Sequence, residues 1–141
     1  YKRQAHRRAS REGQLLIARC QVMLEARQWR RFDEVAAHYR DQAARHGVDA
    51  LLAATQIVEA WCSLDTGSLE TAREQLETGR SIADRVGDPW WTGLVELGLA
   101  EACGRLALTE QASRHRSRAI DTFTRLGSIR ELERAKAVKT G

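Results

Sequence analysis

Apolar residues recur along this chain at steps of three and four, the spacing of one face of an α-helix. Leu51, Leu52, Thr55, Val58 and Cys62 follow that spacing, and so do Ala112, Ala119, Ile120, Phe123 and Leu126. Three similar phrases punctuate the helical stretches: Ala44-Arg45-His46-Gly47-Val48-Asp49, Asp84-Arg85-Val86-Gly87-Asp88-Pro89 and Thr124-Arg125-Leu126-Gly127-Ser128-Ile129. Their glycines are forty residues apart, each with an arginine two positions earlier. A glycine in the left-handed conformation ends a helix, and a cation in the last turn suits the negative end of the helix dipole. Asp49, Asp88 or Ser128 then offers an N-cap for the next helix, with Pro89 tolerated in the first turn.

The pattern predicts two helices per period: about 12–28 and 33–46, about 49–64 and 68–86, and about 89–105 and 109–126, with a last helix from Ser128 to about Lys139. The breaks within the units are expected at Arg30-Arg31-Phe32, at Asp65-Thr66-Gly67-Ser68 and near Gly104, with Ser68 and Thr109 as caps. One helix pair cannot bury its own apolar face, whereas stacked pairs can. The expected fold is therefore an all-α solenoid of about seven antiparallel-paired helices in a single repeat domain. Its units run over about 12–47, 48–87 and 88–127, with a partial unit over 128–139. The start at Tyr1 and the stop soon after a helical pattern suggest a piece of a longer protein.

The stretch from Cys62 to Leu76 resembles the heart of a tetratricopeptide repeat. Gly67 matches that family's turn glycine, Ala72 its small residue at the helix crossing, and Leu76 a large apolar position. Unit one matches more loosely through Phe32, Val35 and Tyr39. Unit three matches through Ala112 and Ala119 but has Ala107 at the turn position and Arg116 at a normally apolar one. The period exceeds the roughly 34 residues of the standard repeat. The longer unit is similar to variant repeats in large bacterial LuxR-type, ATP-dependent transcription activators and related signalling proteins. That resemblance implies a binding array inside a multidomain regulator, with the first helix of each pair lining a concave groove.

Composition supports a folded chain, at 43% hydrophobic and 30% charged residues. No apolar run approaches the roughly 18 residues of a membrane span, and no signal peptide is visible, so a cytoplasmic protein is expected. Cys20, Cys62 and Cys103 lack disulfide or zinc spacing and read as small core residues. The net charge of +4 is uneven: residues 1–31 hold nine Lys/Arg against two Glu, and the remainder is slightly acidic. The run Lys2-Arg3, Arg7-Arg8 and Arg11 reads as a solvated helix face rather than a phosphate grip, because only Tyr1 is there to stack a base. Arg114, His115, Arg116 and Arg118 read likewise, offset by Glu110 and Asp121.

No phosphate loop, nucleophile elbow or H-E-x-x-H motif occurs. His6, His38, His46 and His115 have no partner at ligand spacing and read as surface residues, although His38 and Asp41 share a face. The expectation is no catalytic residue, no metal and no cofactor. Trp90 and Trp91, as helical neighbours, point about 100° apart, so one of them is expected to be exposed or at an interface, where aromatics serve as binding anchors. Partner-facing candidates are Gln56, Glu59, Glu96 and one of Trp90 and Trp91. The expected partner is a protein or peptide, a neighbouring domain of the parent chain or a small effector. The alternatives are a self-association module, built on an apolar end left open by the incomplete last unit, and a nucleic-acid binder using the basic first helix.

Overall fold

The computed structural model describes residues 11, 13–19, 22, 29–46 and 49–141. Their regular elements are all helices: α1 (residues 13–19, with Arg11 and Val22 also helical), α2 (Trp29–His46), α3 (Asp49–Asp65), α4 (Leu69–Val86), α5 (Pro89–Arg105), α6 (Thr109–Leu126) and α7 (Ile129–Ala137). The chain is thus an all-α fold, with seven helices and no strand among the described residues.

Helices α3 to α6 match the periodicity within a residue or so, because strong turn signals bound each one. The break expected at Arg30-Arg31-Phe32 is absent, and α2 is already helical at Trp29. That stretch contains neither glycine nor proline, and a pair of arginines alone does not stop a helix. The last helix ends at Ala137 rather than near Lys139, since Val138 turns to extended backbone at φ −66°, ψ 128°. Gly47, Cys20, His6 and the basic run at residues 2–8 lie outside the described residues, as do the side chains of Trp29, Phe32 and His46.

The turns repeat more finely than the sequence phrases suggest. Gly67, Gly87, Ala107 and Gly127, twenty residues apart, have positive φ of 84°, 75°, 63° and 68°. The first and third close the turns within pairs, and the other two close the turns between pairs. Ala107 is the one side chain among them, and its Cβ crowds the backbone in this conformation. Ala107→Gly should therefore stabilise the fold by about 1 kcal/mol, the usual gain on relieving a left-handed alanine. A thermal melt would show this as a Tm rise of about 3 °C, and an unchanged or lower Tm would refute it.

Capping differs in part from expectation. The Asp88 carboxylate accepts from the Trp90 N–H at 3.0 Å and caps α5, with Pro89 in the first turn. Ser68 and Ser128 occupy cap positions without a side-chain hydrogen bond, and Leu108 rather than Thr109 precedes α6. The reason lies in the tight preceding turns. They bond the amides of Ser68, Leu108 and Ser128 to the Ser63, Cys103 and Phe123 carbonyls, so backbone geometry already fixes these helix starts.

Consecutive helices pack from α2 through α7, and α3 also packs on α5 and α5 on α7. The α4 and α6 backbones do not approach one another comparably. They meet through long side chains, such as the Arg73 guanidinium donating to the Gln111 side chain at 3.0 Å. Helices α3, α5 and α7 therefore form a close inner layer, and α4 and α6 an outer one. Ala72 and Ala112, at the small positions of the repeat, are fully buried where the helices cross, and Leu76, Leu94, Leu99 and Phe123 fill the space between layers. Each such large apolar side chain contributes about 2 kcal/mol by leaving water.

Candidate interaction groove

The inner layer ends in an open depression at the C-terminal ends of α3, α5 and α7. Its larger part has a volume of about 450 Å³ and is lined by Glu101, Arg105, Arg134, Ala137, Val138 and Lys139. A smaller part of about 150 Å³ adjoins it, where Trp61, Leu64 and Asp65 face the same Glu101, Arg105 and Arg134. The cations belong here for a local reason. Three helix ends present their negative dipole poles on this side, and arginine or lysine in a last turn offsets them.

Two arginines build the wall between the two parts. Arg105 Nη1 donates to the Leu64 carbonyl at 2.6 Å, reaching from α5 to the last turn of α3. The Arg134 guanidinium, from α7, lies 5.4 Å from the centre of the Trp61 ring, a cation–π distance. Arg105 thus ties α5 to α3, and Arg134 ties α7 to α3 past the end of α5, while both line the depression. Glu101 and Asp65 are exposed and have no ion pair among the described residues. The surface joins an apolar floor to fixed cations and open carboxylates. That arrangement can hold an extended polar segment with an apolar side chain, but it presents no nucleophile beside a base.

The residues expected to face a partner lie elsewhere. Glu96 is buried, with 6% of its surface exposed, and is enclosed by α4 and α6. Its Oε1 accepts from Arg80 Nη2 at 2.8 Å, its Oε2 lies 2.5 Å from His115 Nδ1, and Arg118 Nη1 is 3.9 Å away. Gln56 is half-buried, with its Cβ against α4 beside Gly79. Glu59 forms an ion pair with Arg40 of α2. Trp91 is wholly buried, and Trp90 is half-buried against it, edge to face at 4.8 Å between ring centres. Of the two tryptophans, Trp90 is the one that keeps partial exposure.

One repeat register explains the misplacement. Gln56 and Glu96 are equivalent positions forty residues apart, and that register faces the outer layer. The groove register is instead Trp61 with Glu101 and Asp65 with Arg105, also forty apart. The period itself could have found these four. Arg134 and Val138 could not be found that way, because α7 is half the length of the other inner helices and its end is not set by the period.

His115 is likewise no surface residue, since it is packed against Glu96. His38 is exposed beside Tyr39. Cys103 is a buried free thiol, and Cys62 is half-buried. Burial pushes the Cys103 thiol above its ordinary value, against a lowering pull from Arg73, so it stays protonated at neutral pH. No cluster of three His, Cys, Asp or Glu side chains suited to a metal occurs among the described residues. No described helix is long and apolar enough to cross a membrane. No family model, curated protein or solved structure matches this chain.

Proposed function

We propose that this chain is a tetratricopeptide-like interaction or effector-sensing domain of a larger bacterial regulatory protein, acting in the cytoplasm. It holds a peptide, a neighbouring domain or a small effector in the groove between α3, α5 and α7. One observation carries the reading. Side chains from successive units converge on a single open depression, and two of its carboxylates, Glu101 and Asp65, have no ion pair among the described residues. The other carboxylate bridging three helices, Glu96, is internally satisfied. Binding needs no chemical step: the apolar floor supplies affinity and the charged rim selectivity. The regulatory setting rests on the resemblance of the long repeats to those of bacterial activators.

A displayed library of random peptides, selected on this chain and mapped by amide chemical shifts, tests the groove. The expected perturbations centre on Trp61, Glu101, Arg105, Arg134 and Val138. Glu101→Arg should weaken the selected peptides about tenfold, as loss of one rim contact does. Selected peptides that perturb only other surfaces would overturn the reading.

A second reading, self-association, is favoured by the uncovered apolar residues at the end of the array. Leu126 is 42% exposed and Ile129 73% exposed, at the turn between the last two helices. Sedimentation at high concentration decides it. A dimer abolished by Ile129→Lys supports this reading, and a strict monomer removes it.

A further inference from the structure

Past Ala137 the chain leaves the helix and residues 138–141 run as non-helical backbone over the α5–α6 corner. The Lys139 carbonyl oxygen passes so near Gly104 that a Cβ built there would overlap it. The same Cβ would stand 3.7 Å from the Thr140 Cα, and one built on Gly141 would stand 3.2 Å from the Thr109 side chain. Arg116 Nη2, from α6, donates to the Lys136 carbonyl at 2.9 Å and steadies the last turn of α7. Val138 rests half-buried on the core, and with Lys139 it forms the wall of the groove that adjoins Glu101 and Arg105.

This wall is lightly held. The Val138 N–H donates to the Ala135 carbonyl at 3.3 Å, but no hydrogen bond joins Lys139, Thr140 or Gly141 to the rest of the described chain. The seat is one of shape, made by a residue without a side chain, Gly104. Segments with few buried contacts and unbonded backbone are the first to open.

We propose that Val138–Gly141 is a displaceable strap that competes with ligand for the α5–α6 end of the groove. Seated, it closes that end. Released, it lengthens the groove. Occupancy and release are therefore linked, each favouring the other to the same degree. The inference rests on the groove being the binding surface.

Gly104→Ala tests it. Alanine is the better helix former, so α5 persists while its Cβ evicts the Lys139 carbonyl. Val138→Ser weakens the apolar seat of the strap without substituting any residue of α5 or adding a charge to the groove, should the first variant fail to fold. Two independent readouts are needed. The heteronuclear 15N NOE of Lys139–Gly141 reports the strap. The dissociation constant of the apolar anion anilinonaphthalene sulfonate, with its chemical-shift footprint on Glu101 and Arg134, reports the groove.

In the unsubstituted chain the strap NOE should lie somewhat below that of the helices, as a mostly seated segment requires, and fall further when the dye saturates. In either variant it should fall without dye, and the dye should bind about fivefold tighter, as expected when a state seated about four-fifths of the time is removed. A released strap with unchanged dye affinity overturns the strap while leaving the groove intact. A strap still seated in both variants overturns it too. A dye that leaves Glu101 and Arg134 unperturbed in every form overturns the groove reading, and the strap with it.

Discussion

Replacing Trp91 by alanine should cost about 4 kcal/mol, within the usual range for truncating a buried aromatic. Trp91 is wholly buried near the start of α5. Its six-membered ring faces α1 so closely that a Cβ on Gly13 would come within 2.6 Å of it. Trp90 packs its ring edge to face at 81° on the other side. The side chain therefore joins the first helix to the third unit across the inner layer. Its Nε1 is buried and has no hydrogen-bond partner among the described residues, so its contribution is packing rather than polar bonding. Trp91→Phe keeps much of the packing and removes the unmatched N–H, and should cost less than about 2 kcal/mol. Urea denaturation followed by far-ultraviolet circular dichroism measures both. A loss under about 1.5 kcal/mol for the alanine variant would show that α1 is not seated on this ring.

The same tryptophan shows what periodicity can and cannot carry. That Trp90 and Trp91 point to different sides followed from helical geometry alone. Which of them faces the interior, and how far the other is covered, depends on α1 reaching α5 past the second unit. No local pattern encodes that reach. The helices between Asp49 and Leu126 were legible because each is bounded by a left-handed turn or a proline-assisted cap, and these signals are short-range. Arg30-Arg31-Phe32 was misread for the complementary reason: a charge doublet mimics a loop in composition but has no backbone effect. Ala107 is the instructive intermediate. The repeat register marked it as standing where Gly67 stands, and the backbone holds it in the same left-handed conformation despite the strain.

The depression lies on a flank of the inner helices that the sequence pattern alone leaves undecided. Amphipathic reasoning finds the core stripe of a helix but does not say which flank of it faces the outer layer. Gln56 and Glu96 lie on one flank, Trp61 and Asp65 on the other. The resemblance places the first helix of each pair on the groove, but it does not say which flank of that helix is open. Glu96 lies in a helix whose buried residues run almost continuously from Trp91 to Cys103. In such a helix a charged residue is held by partners rather than by water.

Those partners make Glu96 the second large lever on stability. Glu96→Ala should cost about 3 kcal/mol, because breaking a buried ion pair strands the remaining charge. Without the carboxylate, Arg80 Nη2 and His115 Nδ1 would face each other at 3.4 Å with no shared acceptor. The loss falls at the low end for such pairs because the Arg80 side chain is 27% exposed and keeps Glu77 at 3.9 Å. Glu96→Gln preserves the shape and one acceptor oxygen, and should cost nearer 1 kcal/mol. The damage should also have a direction. Glu96 sits in α5, Arg80 in α4 and His115 in α6, so the carboxylate ties an inner helix to two outer ones whose backbones do not otherwise pack together. Losing it should loosen the outer layer ahead of the inner, with amide exchange rising in α4 and α6 before α3 and α5. A double-mutant cycle with Arg80→Ala separates coupling from simple burial. If the two losses add, the residues act independently. A double variant costing clearly less than the sum identifies Glu96 as the clamp of the outer layer, and leaves the groove, on the opposite flank of α5, to vary without disturbing it.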